Sequence, residues 1–263
     1  MTFFEATGVS VVFGGVHAVE DLSFQLGPDE CLGLIGPNGA GKTTVLNCVS
    51  GIVRPTAGSL RLNGADVGRR RMHRIARSGV ARTFQSIEHF KAFTVLDYVT
   101  LGRVPYYSQS VLAFGLALVP AIRAERKQRT IAEGYVERYG LGDMRDVPLG
   151  ELPYGVQKAA DIVRAIALDP VLLLLDEPAS GSNEAERNVL RTTVQTLRDE
   201  DCAVILVDHD VDFVSNVCER ILAMAAGRKV ADGPADETLA DPAVVSSYLG
   251  SVKSTSLGNT PGS

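Results

Sequence analysis

The chain reads as an α/β fold with a mainly parallel sheet, on three observations. Short apolar runs alternate with stretches of helical spacing along most of its length. Two of those runs, Val171–Leu175 and Ala203–Val207, contain no polar residue, the pattern of a central strand covered on both faces. A third, Cys31–Ile35, leads through a glycine-rich loop straight into a helix.

The elements follow in order. Val9–Phe13, Leu22–Leu26 and Cys31–Ile35 are predicted strands, separated by Gly14-Gly15 and Gly27-Pro28 turns. Thr43–Ser50 carries Val45, Leu46 and Val49 at helical spacing and stops at Gly51. Pro55 and Gly58 turn the chain into a strand, Ser59–Asn63, closed by Gly64. Residues 66–80 read as a basic helix whose Arg69, Arg70, Arg71, Arg74 and Arg77 form a solvated face. Residues 86–150 are a helical insertion, with segments around Val95–Leu101, Val111–Ile122 and Glu125–Tyr139. Regularity returns with a helix over Val156–Leu168, stopped by Asp169-Pro170. After the strand Val171–Leu175, Asn183 caps a helix with Glu186 three residues on and Val189, Leu190, Val194 and Leu197 as its buried stripe. Ile221–Val230 is a hairpin turning at Ala226-Gly227, and the Ser/Gly/Thr/Pro-rich tail from Ser251 is expected to lack structure.

Composition narrows the class. A formal net charge of -5 argues against a general nucleic-acid binder. Cys31, Cys48, Cys202 and Cys218 have no metal-ligand spacing and read as buried, reduced thiols. No secretory signal is visible at the N-terminus. The apolar stretch Val111–Ile122 is too short to cross a bilayer; it is either a buried helix or a surface for a partner.

The chemistry concentrates at strand ends. Gly36, Pro37, Asn38, Gly39, Ala40, Gly41, Lys42, Thr43 and Thr44 make a complete G-x-x-x-x-G-K-[ST] loop between a strand and a helix. Its backbone N–H groups and the helix N-terminus point at phosphates, Lys42 reaches the β/γ-phosphates, and the Thr43 hydroxyl can ligate Mg²⁺. Asp176, ending a buried strand, is placed to hold the metal, and Glu177 beside it suits polarising an attacking water. His209, after the strand Ala203–Val207, is a candidate contact to the γ-phosphate, whereas His17, His73 and His89 have no such context.

From about residue 5 to 250 the chain resembles the nucleotide-binding subunit of an ATP-binding cassette (ABC) transporter. That resemblance implies a RecA-like P-loop NTPase core with a mainly parallel sheet, an antiparallel β-subdomain and an inserted helical subdomain. On this reading the nucleotide-binding domain spans 1–250, the helical subdomain 86–157 lies within it, and 251–263 is a tail. Gln85, in Ala-Arg-Thr-Phe-Gln, matches the Q-loop, which ligates Mg²⁺ and links the site to the membrane partner. Phe13 matches the aromatic residue that stacks on adenine. Leu152–Gln157, with Gly155 and Gln157, occupies the position of the signature segment, and Ala179–Asn183 that of the D-loop. In the family two such domains pair head to tail, each ATP lying between one phosphate loop and the other chain's signature.

A narrower resemblance, to the ATPases of branched-chain amino-acid importers, is carried by Ile75-Ala-Arg, Val80–Gln85, the long insertion, the signature tyrosine, Asn183 and Val244–Gly250. It implies ATP and Mg²⁺ as cofactors and transmembrane permease subunits, a second ATPase subunit and, indirectly, a substrate-binding protein as partners. It also implies a cytoplasmic place on the inner membrane face, and no nucleic-acid partner. Such importers use two different ATPases, which favours a heterodimer over a homodimer. Urea or amide import, lipopolysaccharide export and a soluble ABC ATPase acting outside transport are the alternatives. The signature departs from the family: Pro153 stands for serine, Val156 for glutamine, and Ser182 replaces a D-loop leucine. The half-site lent to a partner therefore reads as weakened, because proline offers neither a hydroxyl nor an N–H.

Overall fold

The computed structural model describes residues 3–84, 87–106 and 119–255 of the chain. Two sheets share one interior. β1 (Phe4–Phe13), β2 (Val16–Leu26), β4 (Ala57–Leu62) and β5 (Ala65–Asp66) form an antiparallel sheet in the order β2-β1-β4-β5. β3 (Cys31–Ile35), β6 (Val80–Arg82), β7 (Leu172–Asp176), β8 (Ala203–Val207), β9 (Arg220–Ala225) and β10 (Arg228–Pro234) form the second, ordered β10-β9-β3-β8-β7-β6. Its pairings are parallel except for the β9–β10 hairpin. β3, β7 and β8 are buried at every position, which is why they read as unbroken apolar runs. β1 and β2 run longer than their apolar segments suggest, because one face of that sheet is wet and accepts polar residues in alternation.

Nine helices occur among the described residues: α1 (Lys42–Val49), α2 (Met72–Arg77), α3 (Val95–Leu101), α4 (Val119–Arg138), α5 (Tyr154–Ile166), α6 (Glu184–Asp199), α7 (Val211–Val217), α8 (Ala235–Ala240) and α9 (Pro242–Thr255). α2 is shorter than the expected basic helix, since Arg71 is extended (φ -73°, ψ 147°) and starts it; the five arginines are exposed and only Ile75 is buried. α6 opens on the capping box expected from Asn183 and Glu186. α9 continues to Thr255, so Ser251–Thr255, expected to lack structure, is helical. Most of the apolar segment Val111–Ile122 lies outside the described residues.

Three apolar clusters hold these layers. One fills the space between the two sheets around Phe4, Leu22, Leu46 and Leu174; a second packs α5, α6 and α7 on the opposite face of the parallel sheet. The third joins α3 and α4 to the outer side of α5 through Tyr98, Val99, Ala132, Val136 and Val163. α5 thus belongs to two cores, with Ile162 and Ile166 facing the sheet and Ala160 and Val163 facing the helices.

Candidate active site

The sheet order places the carboxyl ends of β3, β8 and β7 side by side, where open α/β sheets gather their ligands. From β3 the chain enters the loop Gly36–Thr44. Gly36 (φ +148°) and Gly41 (φ +100°) take backbone conformations that other residues resist. A Cβ at Gly36 would lie 2.1 Å from the Met224 carbonyl oxygen, and one at Gly41 2.4 Å from that of Ala18. Both glycines are therefore fixed by close backbone approach as well as by φ. Lys42 Nζ donates to the carbonyls of Gly36 (2.7 Å) and Pro37 (3.1 Å) across its own loop. Burial pushes the Lys42 ammonium below its usual range, while Glu177 and Asp176 oppose that shift and bring this chain's two acids into its field. Asn38, Gly39 and Thr43 are exposed, so the concave side of the loop faces solvent.

β7 delivers Asp176, its side chain fully buried, into an ion pair with Arg82 of β6 (Nη2 to Oδ2, 2.7 Å). Arg82 Nη1 also donates to Asn47 Oδ1 (2.6 Å) and Ser50 Oγ (3.2 Å) of the helix that follows the loop. Asp176 Oδ1 is buried with no hydrogen-bond partner among the described residues. A buried carboxylate oxygen left unmatched beside a phosphate loop is an acceptor suited to a hard divalent cation. Thr43, expected to share that role, is exposed at the start of α1, and Gln85, the third expected ligand, lies outside the described residues.

Glu177 is exposed and sits in the left-handed region (φ +51°), a conformation costing on the order of 1–3 kcal/mol that is found at functional sites. Its N–H donates to Val207 O (2.7 Å), and its carbonyl accepts from Lys158 Nζ (2.6 Å). β8 ends at Val207 and is followed by Asp208 and His209. The His209 ring is 62 % exposed and lies 3.4 Å from Asp208. Asp208 itself is buried: Oδ2 accepts from Ala179 N (2.9 Å) and Oδ1 from Asp210 N (3.1 Å), which ties the D-loop to the histidine turn. Phe13, 50 % exposed, ends β1 opposite Val16 on the antiparallel sheet.

In the signature segment Pro153 is the N-cap of α5, with no side-chain hydrogen bond, and its carbonyl accepts from Val156 N and Gln157 N. Gln157 Nε2 donates to Leu152 O (2.9 Å), so its amide braces the turn. The Glu186 carboxylate lies against Gly155: a Cβ there would come within 1.7 Å of Oε1.

The structure brings Lys42, Asp176 and Glu177 together; among the described residues neither Phe13 nor His209 makes a hydrogen bond or ion pair to the loop. Four residues with structural roles escaped the sequence reading. Arg82 had one signal, a charge in an otherwise apolar strand. Asp208 and Lys158 had none, since acids and lysines at element ends are ordinarily solvated. Tyr248 of α9, from far along the chain, packs on the apolar cluster that includes Ile35 at the entry of the loop.

Comparison with known proteins agrees with this fold. Residues 19–180 match the family model described as ABC transporter. The chain is 36 % identical over 248 residues to the high-affinity branched-chain amino acid transport ATP-binding protein BraF of Pseudomonas aeruginosa, covering 94 % of this chain and 97 % of that protein. It is 34 % identical to LivG, of the same description, from Escherichia coli (92 % and 96 % covered), and 30 % identical to the lipopolysaccharide export ATP-binding protein LptB of Haemophilus influenzae (95 % and 98 %). Among solved structures, the ADP conformation of an ATP-binding cassette of an ABC transporter superposes with a TM-score of 0.83 at 26 % identity, covering 95 % of this chain and 99 % of that one.

Proposed function

This chain belongs to the ABC transporter family, and on that premise we propose that it binds and hydrolyses ATP to drive an importer of branched-chain amino acids. The observation that carries the reading is the junction of the phosphate loop with Asp176 and Glu177, in a chain whose similarity to BraF and LivG extends over nearly its whole length. Lipopolysaccharide export is the weaker reading, because the similarity to LptB is lower.

In this mechanism Lys42 exchanges the Gly36 and Pro37 carbonyls for phosphate oxygens and neutralises charge at the β/γ position. Glu177 polarises the attacking water and takes up its proton, and His209, turned outward, hydrogen-bonds the γ-phosphate. Asp176 and Thr43 would hold Mg²⁺, which supplies further charge neutralisation when bound. Phe13 stacks on adenine without reading its edge, while Gly155 and the first turn of α5 face the nucleotide of a second ATPase subunit.

No helix among the described residues is long and apolar enough to cross a membrane. Transport then requires permease subunits, and we place the chain on the inner membrane face. A groove of about 500 Å³ beside β6, with Met72 and Val104 exposed at its rim and Phe84 and Leu101 along it, is the surface offered to a permease segment. The test is direct: Glu177→Gln should bind ATP and fail to hydrolyse it, and the parent chain, but not this variant, should restore leucine uptake to cells lacking their own importer ATPase. Hydrolysis at the parent rate by Glu177→Gln would refute the role of Glu177, and parent-chain failure with leucine would refute the substrate class.

A further inference from the structure

α5 carries three charged side chains at successive three-residue steps, Lys158, Asp161 and Arg164, and all three reach backbone at or just past the ends of β6 and β7. Arg164 Nη2 donates to Arg82 O (2.7 Å), and its guanidinium lies 4.0 Å over the Phe84 ring. Asp161 Oδ2 accepts from Phe84 N (2.7 Å), while Oδ1 accepts from Tyr98 OH and Arg164 Nε (both 2.8 Å). Asp161 and Arg164 are nearly buried, at 3 % and 9 % exposure, so this pair is a fixed part of the interior. One turn nearer the helix start, Lys158 Nζ donates to the Glu177 carbonyl at 2.6 Å.

We propose that Lys158 is a positioning residue for hydrolysis, acting through the backbone of Glu177. The proposal rests on the reading of Glu177 as the residue that orients water. A left-handed residue reverts to a commoner conformation unless its surroundings hold it there. For Glu177 three bonds do so: its N–H is fixed to Val207 of the neighbouring strand, its C=O accepts from Lys158 Nζ at 2.6 Å, and the same C=O accepts a longer bond from Ser180 N at 3.4 Å. The first belongs to the sheet and cannot move independently. The second comes from the helix whose first turn is the signature segment and whose Asp161 and Arg164 grip the exit of β6. Seating of α5 therefore sets the direction in which the Glu177 side chain leaves the backbone. A shift of the signature turn reaches the chain's own hydrolytic carboxylate through one hydrogen bond. A role limited to helix packing has less support: the Lys158 ammonium also lies 5.4 Å from the half-exposed Tyr154 ring, a contact at the surface rather than in a core.

The experiment uses the full-length chain in its ATP-hydrolysing assembly. Lys158→Met keeps the aliphatic stem and a good helix former while removing the donor. It should lower kcat about tenfold with KM for ATP changed less than about twofold, the split expected when a reacting group is misplaced and binding is intact. Lys158→Arg, which restores a donor, should recover most of that loss, and Lys158→Gln, too short to reach, should behave as the Met variant. In a Glu177→Gln background, adding Lys158→Met should leave ATP binding unchanged. An unaltered kcat in Lys158→Met would overturn the proposal, as would failure of Lys158→Arg to rescue. Loss of ATP binding in the Glu177→Gln background would also overturn it, by locating the effect at the signature's outward face. Hydrolysis persisting in Glu177→Gln alone would instead condemn the assignment of Glu177, a distinguishable result.

Discussion

Lys42 bonds its own loop carbonyls at Gly36 and Pro37, contacts that phosphate oxygens must replace. A charge-assisted bond is worth about 1.5–3 kcal/mol, so Lys42→Met should weaken ATP binding roughly 10- to 150-fold with little change in melting temperature. Arg82 is a different case, because its partner Asp176 is wholly buried. Arg82→Met strands that carboxylate and should cost about 3–5 kcal/mol in urea unfolding; adding Asp176→Leu should return most of it. A double variant no more stable than Arg82→Met would show that the pair is not what Asp176 needs. The placement of Lys42 at a helix start, and of Asp176 and Glu177 at a strand end, was legible in the sequence because the loop motif and the apolar run Val171–Leu175 are local patterns. Arg82 and Tyr248 were not, since their roles depend on contacts that no local spacing encodes.

At the scale of elements, α5 best separates what pattern can and cannot tell. Its apolar spacing marks a helix, and Pro153 at the N-cap agrees with proline's tolerance there. Its Asp161 and Arg164, read by pattern alone, belong on a wet face; they are buried because the end of β6 supplies backbone partners for both. The capping box of α6 was legible because it is local, three residues apart. Its second contact, Glu186 against Gly155, was not, because it joins two elements. Gly155→Ala should therefore expel the Glu186 carboxylate and loosen the start of α6, lowering stability by about 0.5–2 kcal/mol, the usual worth of a cap. Pro153→Ser returns a hydroxyl to the N-cap. Where two copies of this chain pair, it should raise ATP turnover several-fold; beside a different ATPase with an intact signature the gain should be small. Brisk turnover by the single chain with no gain from serine would show that Pro153 is harmless.

Across the whole molecule, the buried thiols make stability depend on alkaline pH. Burial pushes Cys48 up to about 11 and Cys202 up to about 12, from the ordinary 9.0 of an exposed thiol. The unfolded chain therefore releases protons first, and stability is whole below pH about 9 and falls as pH rises toward 11–12. Chemical unfolding at pH 7 and 10 should show a lower midpoint at 10, and a Cys48→Ser, Cys202→Ser protein should lose less over that interval. All four cysteines are free and buried, so alkylation at pH 8 should report global opening only. The two sheets themselves meet at the phosphate loop. Glu20 N donates to Gly227 O and Gly227 N to Ala40 O, while Gly41 presses on Ala18. The loop is thus a seam as well as a cradle: its residues are where the antiparallel sheet and the β9–β10 hairpin are sewn together. Whatever tightens it from the solvent side must also slow deuterium uptake at the amides of Glu20 and Gly227, which donate only to protein carbonyls, so the footprint of a bound nucleotide will be read on the far side of the stitching.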